Sequence, residues 1–261
     1  MKSSITVLFL GDVIGKPGRR VLTKFLEARS PGADLVIANV ENCAHGFGLT
    51  EQNLNELVAA GVHVFTGGNH TFDRKEIFDF IGNHTQLLRP ANYPEGTPGR
   101  GFCLTTACDV KVAVINLMGR VFMEPILSPF VVADQLVAEA ARETNIIFVD
   151  MHAEATAEKV ALGLYLDGRV SAVVGTHTHI QTADEKILPG GTAYITDTGA
   201  CGPTTGIIGM ETDGVFRRII KQLPTRFEVA SGPAAASGVT VTIDTSSGKS
   251  TSISRVTYLE D

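Results

Sequence analysis

Side chains that can bind metal ions follow the ends of five predicted strands in this 261-residue sequence. They are carboxylates, amides and imidazoles, namely Asp12, Glu41, Asn42, Asn69, His152, His177 and His179. Because ligands collect at the carboxyl ends of the strands in an α/β sheet, we expect these groups to lie close together. Each segment alone also has an ordinary explanation, as a turn, a helix cap or a buried histidine, although Gly175-Thr176-His177-Thr178-His179 is harder to explain in this way. Their recurrence at five strand ends favours one shared site.

The types of ligand indicate which metals this site would bind. Mixed carboxylate, amide and imidazole ligands suit iron, manganese or zinc, and they do not suit a structural zinc site built from thiolates. Seven ligands are too many for one tetrahedral ion but fit two ions that share a bridging carboxylate. Two metals about 3.5–4 Å apart are the arrangement that clamps the attacking and leaving oxygens in phosphoryl transfer. The residues therefore predict a two-metal phosphoesterase.

The elements that must position these ligands alternate between apolar strands and helical patterns, which is typical of an α/β fold. We predict strands at 5–10, 35–39, 62–66, 110–117, 146–150, 172–175 and 192–196. We predict helices near 19–29 and at 51–60, 74–82, 131–144 and 156–166. Residues 15–18 are expected to be a loop, and 84–109 a long irregular connection. Alternating valines and threonines after residue 238 predict a C-terminal antiparallel hairpin that returns through 251–259.

Composition limits the class of protein. A net charge of −6 argues against stable binding to DNA, because surfaces that coat polyanions are usually basic. The four cysteines show no zinc-type pairing and are expected to be reduced. The apolar run 5–10 is shorter than a signal-peptide core, and no stretch is long enough to span a bilayer. We therefore expect a soluble, cytoplasmic protein with one domain over residues 1–261, and a homo-oligomer is compatible with the sequence.

The order of the motifs is recognisable between residue 8 and about residue 220. The series resembles the calcineurin-like metallophosphoesterase superfamily, and it consists of Gly11-Asp12, Glu41-Asn42, Gly68-Asn69-His70, His152 and Gly175-Thr176-His177-Thr178-His179. That superfamily usually begins with Asp-x-His and continues with Gly-Asp, whereas this chain has Asp12-Val13-Ile14 and then Glu41-Asn42. Those departures are similar to the YmdB-like branch, whose members are proposed to be 2′,3′-cyclic-nucleotide 2′-phosphodiesterases. Two further segments look like that branch, Asn116-Leu117-Met118-Gly119-Arg120 and Gly206-Ile207-Ile208-Gly209-Met210.

This resemblance implies a fold and a role for each residue. The fold would be a layered α/β/β/α sandwich that forms a single metallophosphoesterase domain. One metal would be bound by Asp12, Asn42 and His179, and the other by Asn69, His152 and His177, with Glu41 as the bridge. The ions would be iron or manganese, with zinc or magnesium as alternatives. A hydroxide bridging the metals would attack a cyclic nucleotide, and His70 would protonate the leaving oxygen to give a nucleoside 3′-phosphate.

Four further residues are candidate substrate contacts, each against the alternative of an ordinary surface residue. His45 lies in a glycine-flanked loop just after the predicted ligands, and Arg120 could bind a phosphate. Thr204 and Thr205 lie in another loop next to a glycine and could line the site. Other functions remain open at this point. The same centre could serve a phosphomonoesterase or a nuclease, or the chain could be a metal-binding regulatory scaffold with little turnover.

Overall fold

Two β-sheets with helices on their outer faces make up the computed structural model, which describes residues 2–29 and 32–260. In chain order, the strands are β1 (Ser4–Leu10), β2 (Asp12–Val13), β3 (Leu35–Asn39), β4 (Val64–Thr66), β5 (Phe102–Ala107), β6 (Val110–Met118), β7 (Ile147–His152), β8 (Ala172–Thr176), β9 (Lys186–Ile187), β10 (Ala193–Ile195), β11 (Ala200–Pro203), β12 (Ala234–Asp244) and β13 (Ser250–Leu259). The helices are α1 (Gly15–Arg29), α2 (Glu51–Ala59), α3 (Ile77–Phe80), α4 (Pro129–Ala140), α5 (Thr156–Tyr165) and α6 (Thr212–Lys221).

The first sheet combines the beginning of the chain with its end. Its strands are ordered β2-β11-β12-β1-β3-β4, and β13 pairs with β12 as well. Strands β1, β3 and β4 are parallel, whereas β12 runs antiparallel to β1 with Val7 opposite Val241. The pairing of β12 with β13 confirms the predicted C-terminal hairpin, which therefore completes the first sheet.

The second sheet comes from the middle of the chain, in the order β5-β6-β7-β8-β10-β9. Strands β6, β7, β8 and β10 are parallel and almost wholly buried. Both faces of the sheet are covered at these strands, which explains why their sequences are continuously apolar.

The two sheets pack face to face. Aliphatic and aromatic side chains from both fill the space between them, and the rings of Phe9 and Phe148 stack with centroids 5.7 Å apart. Helices α1, α2 and α3 cover the outer face of the first sheet through residues such as Phe25 and Leu57. Helices α4 and α5 cover the second sheet. The predicted α/β/β/α layering is confirmed.

The expectation of an irregular connection over 84–109 is wrong in its last part, because β5 lies there and forms a hairpin with β6. Only Cys103 and Ala107 of β5 are fully buried, and its threonines weaken the apolar alternation. The turn uses Cys108 and Asp109, which have φ values of 49° and 63°. Hairpin turns with two positive φ values usually contain Asn-Gly or Asp-Gly, so this turn has no clear signal in the sequence.

Three helices differ from expectation. Helix α1 begins at Gly15, so the expected loop 15–18 is its first turn, where Pro17 needs no hydrogen-bond acceptor. Gly18 is required there because a Cβ would overlap the carbonyl oxygen of Cys201. Helix α3 covers only four residues of the predicted 74–82, and the sequence analysis predicts no element where α6 lies.

Across the described ranges, no helix is both long and apolar enough to cross a membrane.

Candidate metal centre and adjoining cavity

Strands of both sheets end at the same edge and deliver all seven predicted ligands to it. Asp12 begins the short strand β2, Glu41 and Asn42 follow β3, and Asn69 follows β4. From the second sheet, His152 is the last residue of β7, and His177 and His179 follow β8. Burial is complete or nearly so for Asp12, Glu41, Asn42 and His152. The structure thus brings the seven residues together at the strand ends.

One group of these side chains surrounds the imidazole of His152. Its Nε2 lies 3.0 Å from Asn69 Oδ1, 3.1 Å from His177 Nδ1 and 3.1 Å from Glu41 Oε1. Ligand atoms of Glu41, His152 and His177 all lie within 4.8 Å of one another, so these three residues could hold a metal ion.

A second group lies on the other side of Glu41. His179 Nε2 is 3.3 Å from Asn42 Nδ2 and 3.8 Å from Asp12 Oδ1. Asn42 Nδ2 is also 3.3 Å from Glu41 Oε1, so the Glu41 carboxylate contacts both groups. The two groups are therefore neighbours that share one carboxylate.

The donors fit cations. Asp12 Oδ1 is buried and has no hydrogen-bond partner, which is costly for a carboxylate oxygen unless a cation satisfies it. Burial raises the pKa of Asp12, the direction expected when a carboxylate lacks a compensating charge. Burial also lowers the pKa of His177 to about 3, so its ring is neutral and has a lone pair to offer.

A buried network that the sequence analysis missed orients His152. Thr176 Oγ1 donates to Asp150 Oδ1 at 2.7 Å and is therefore the acceptor for His152 Nδ1 at 2.9 Å. Asp150 also accepts from Thr66 Oγ1 at 2.5 Å, and burial raises its pKa to about 6. Although burial lowers it, the Glu41 carboxylate raises the pKa of His152 to about 9, so Nε2 carries a proton where no cation is bound. A cation would replace that proton, and the network would hold the remaining proton on Nδ1, as second-shell partners of metal-binding histidines commonly ensure. Buried threonines at strand ends give no distinctive sequence signal.

Two of the candidate ligands have an unusual backbone conformation. His177 and His179 have φ values of 97° and 65°, in a region that side-chain-bearing residues rarely adopt. Asp197 Oδ2 accepts hydrogen bonds from the backbone nitrogen and hydroxyl of Thr178, which lies between them. Lys159 Nζ donates to the same oxygen at 2.7 Å, and both members of this ion pair are buried. This pair fixes the strained loop.

Gly68 is the point of closest backbone approach to the centre. A Cβ at this position would overlap His152 Nε2 and Glu41 Oε2. Glycine is therefore required for the loop after β4 to lie against the candidate ligands.

His70 lies beside the ligands and faces a cavity. Its backbone nitrogen donates to Glu41 Oε2 at 2.9 Å, and its Nδ1 lies 2.8 Å from Asp73 Oδ2. The Phe47 ring packs against the His70 ring nearly edge to face, with centroids 4.8 Å apart. Since a carboxylate accepts the Nδ1 proton, Nε2 is the nitrogen left for proton transfer.

The cavity beside the centre has a volume of about 430 Å³. Polar lining residues come from the centre and its surroundings: Glu41, Asn42, His70, Glu154, His177, Thr178 and His179. Apolar lining residues come from two loops and α6: Phe47, Ile207, Ile208, Met210, Val215, Ile219 and Phe227. Glu154 Oε2 lies 3.2 Å from His177 Nε2 and is a further residue that the sequence analysis missed.

The four weaker candidates are not among the residues that line this cavity. His45 is exposed, and the cavity wall in its loop is Phe47. The Arg120 backbone nitrogen donates to Glu158, and the hydroxyls of Thr204 and Thr205 donate to backbone carbonyls. Their contact with substrate stays a prediction.

Comparison with known proteins identifies the family. The sequence pattern of the YmdB-like proteins matches residues 8–256. The chain belongs to the YmdB-like family. This result confirms the resemblance inferred from the ordered motifs.

Relatives of this YmdB-like chain have names that describe phosphoesterases. It is 51% identical to the 2′,3′-cyclic-nucleotide 2′-phosphodiesterase of Bacillus subtilis, over 98% of this chain and 97% of that protein. The crystal structure of a Mycoplasma pneumoniae phosphatase is similar with a TM-score of 0.93 and 36% identity, covering 100% of this chain and 95% of that one. The NAD nucleotidase of Haemophilus influenzae shares the fold, with a TM-score of 0.59, 14% identity and coverage of 98% and 56%.

Proposed function

We propose that this YmdB-like chain is a two-metal phosphodiesterase that opens 2′,3′-cyclic nucleotides to nucleoside 3′-phosphates. Its family and the names of its relatives make it a hydrolase of phosphoric esters. The substrate is proposed by analogy with the Bacillus subtilis protein. The observation on which the proposal depends is the cluster of seven metal-capable side chains next to His70 and an open cavity.

One cation would bind on each side of Glu41, two in all. Asp12, Asn42 and His179 would hold one, and Asn69, His152 and His177 the other, which agrees with the two groups of short distances. When bound, the cations would polarise the phosphoryl group and acidify a water molecule. The donor set suits iron or manganese, with zinc or magnesium as alternatives.

His70 would be the general acid. Asp73 fixes the ring through Nδ1, and Phe47 limits its rotation from one side, so Nε2 can be held toward the substrate. The alkoxide that leaves a ribose is a poor leaving group, and protonation by a positioned imidazole contributes about 10²–10⁴-fold to such reactions.

The geometry of displacement at phosphorus limits where the leaving oxygen can lie. Attack and departure occur in line, so the leaving oxygen must lie on the side of the general acid. We propose that the 2′-oxygen lies beside His70, which yields the 3′-phosphate. Chemistry alone permits either ring oxygen to leave, and the choice is supported by the name of the Bacillus subtilis relative.

The decisive experiment combines metal analysis with a panel of substrates. Protein reconstituted with iron or manganese is incubated with 2′,3′-cyclic nucleotides, nucleoside monophosphates and short RNA, and phosphorus NMR identifies the products. We expect about two ions per chain and conversion of the cyclic nucleotides to 3′-phosphates. Faster hydrolysis of monophosphates would establish a phosphomonoesterase, and faster cleavage of RNA a nuclease. Absence of turnover with both ions bound would favour a regulatory scaffold.

We further propose that residues 1–261 act as one domain in the cytoplasm. The cysteines in the described part of the chain are free, which fits a reducing compartment. The net charge of −6 fits a small phosphorylated substrate better than DNA.

A further inference from the structure

One side of the cavity is an apolar wall to which the proposed chemistry assigns no role. We define the apolar wall as Ile207, Ile208, Met210, Val215, Ile219 and Phe227. Within this wall, Ile208 is 50% exposed and Ile219 is 62% exposed. Large aliphatic side chains that face water in a concave surface indicate a surface that a ligand covers.

The loop of the apolar wall uses several of its polar groups internally. The backbone nitrogens and oxygens of Ile207 and Met210 pair with each other at 2.8 and 3.0 Å. The Ile208 carbonyl oxygen lies 3.1 Å from Nδ1 of His179, and the Gly209 carbonyl accepts from Ala230. What the loop presents to the cavity is therefore largely hydrocarbon.

The charges in the cavity argue against a second phosphate as the ligand of this wall. None of the described lining residues is a lysine or an arginine, and Glu154 adds a carboxylate. A phosphate placed there would meet no cationic side chain to offset its desolvation. A flat, uncharged group that is attached to the reacting ribose phosphate fits better, and in a nucleotide that group is the base.

We propose that the apolar wall is the nucleobase subsite and that it accepts all four bases through apolar contact. This inference rests on the proposed phosphodiesterase function. The cavity continues from the candidate ligands to the wall, so a phosphate at the centre brings the attached base to the wall. Its volume of about 430 Å³ lies in the usual range for small-molecule sites, roughly 300–1,000 Å³. Phe47 lies in the same lining and offers an aromatic face or edge to the base.

Helix α6 offers a matched pair of variants. Ile219 and Ile220 are neighbours of the same type, 62% and 71% exposed, and only Ile219 lines the cavity. We expect Ile219→Ser to raise KM for 2′,3′-cyclic AMP by roughly tenfold with little change in kcat. The 2′,3′-cyclic phosphate of methyl riboside has no base, so its kinetics should change little. Ile220→Ser should leave both substrates at wild-type values.

Base selectivity tests the chemical character of the wall. Apolar contacts distinguish related groups by about tenfold to a few hundredfold, whereas a site that reads hydrogen bonds discriminates by about 10⁴ or more. We therefore expect kcat/KM for the four 2′,3′-cyclic nucleotides to agree within roughly tenfold. A preference of 10⁴ for one base, or equal effects of Ile219→Ser and Ile220→Ser, would overturn the assignment.

A binding measurement separates this inference from the proposed function. Calorimetry with adenosine requires no turnover, and the comparison between Ile219→Ser and Ile220→Ser isolates the contribution of the wall. We expect adenosine to bind the metal-loaded wild-type protein and Ile220→Ser equally, and Ile219→Ser more weakly. If cyclic nucleotides are not hydrolysed but this order of binding is found, the proposed function fails and the base subsite stands. If they are hydrolysed and adenosine binds all three proteins equally, the subsite fails alone.

Discussion

Glu41 contacts both halves of the candidate centre. Its Oε1 lies 3.3 Å from Asn42 Nδ2 and 3.1 Å from His152 Nε2, while Oε2 accepts the backbone hydrogen bond of His70. A carboxylate between two cations offsets their mutual repulsion as well as binding each of them. Metal content is therefore the property most sensitive to this residue.

We predict that Glu41→Ala loses both metal ions together. Elemental analysis after gel filtration should give well under one ion per chain, compared with about two for the wild-type protein. Glu139→Ala changes an exposed glutamate on α4 and serves as the control with full metal content. Two tightly held ions in Glu41→Ala would show that this carboxylate is not the bridge.

We predict that His70→Ala keeps its metal and loses turnover by about 10²–10⁴-fold on cyclic nucleotides, because the general acid is gone. The loss should be much smaller for nitrophenyl phosphodiesters, since nitrophenolate leaves without protonation. Steady-state kinetics on both classes of substrate measure the difference. Equal losses on both would make His70 a binding or structural residue.

At the scale of single residues, the sequence predicts those whose chemistry is distinctive. Imidazoles and carboxylates at strand ends are conspicuous, whereas Asp150 and Thr176 are not, because their role exists only through contacts across neighbouring strands. Phe47 illustrates the same limit. The sequence directs attention to His45 in that loop, but the backbone conformation decides which side chain faces the cavity.

Among the elements, α5 and the loop after β10 act together to fix the His-Thr-His loop. Lys159 of α5 and Asp197 form a buried ion pair whose carboxylate also binds Thr178. Removing one partner of a buried pair leaves a charge without compensation, which costs about 3–5 kcal/mol.

We predict that Lys159→Met lowers the free energy of unfolding by about 3–5 kcal/mol and reduces activity, although it removes no metal ligand. Denaturant titration measures the first effect and steady-state kinetics the second. Lys111→Met is the matched control, because Lys111 and Glu143 form an exposed pair that contributes little. A wild-type unfolding curve for Lys159→Met would mean that the pair is dispensable.

Elements with a strong apolar period are predictable from the sequence, and those that depend on tertiary contacts are not. The buried strands β1, β3 and β8 follow directly from their apolar runs. Helix α6 is an exception: Val215, Phe216, Ile219 and Ile220 have helical spacing that the sequence analysis overlooked, although only Val215 is buried. Helix α1 starts early because it packs on β11 at Gly18, a contact between distant segments of the chain.

For the molecule as a whole, the centre connects the two sheets. Asp12, Glu41 and Asn69 come from the first sheet, and the histidines 152, 177 and 179 come from the second. Metal binding should therefore stabilise the packing of one sheet on the other. The layered architecture was predictable through the family motifs, whereas the contact between the sheets is a property of the assembled core.

We predict that chelation lowers the thermal unfolding midpoint. A ligand at a hundredfold its Kd stabilises the native state by about 2.7 kcal/mol. For a chain of this size that corresponds to roughly 5–10 °C, which calorimetry with and without chelator measures. Glu41→Ala should unfold at the same temperature in both conditions. A midpoint indifferent to chelator, in wild-type protein shown to contain metal, would contradict a structural role for the ions.

The place of β12 in the first sheet has a consequence during protein synthesis. Residues 234–244 are synthesised long after β1, yet they pair with β1 and join it to β11. Until then, β1 has an unpaired edge, and β2 with Asp12 is not fixed against the rest of the sheet. The nascent chain must therefore keep this edge from pairing with other chains until β12 has been synthesised, and the candidate metal centre can be completed only then.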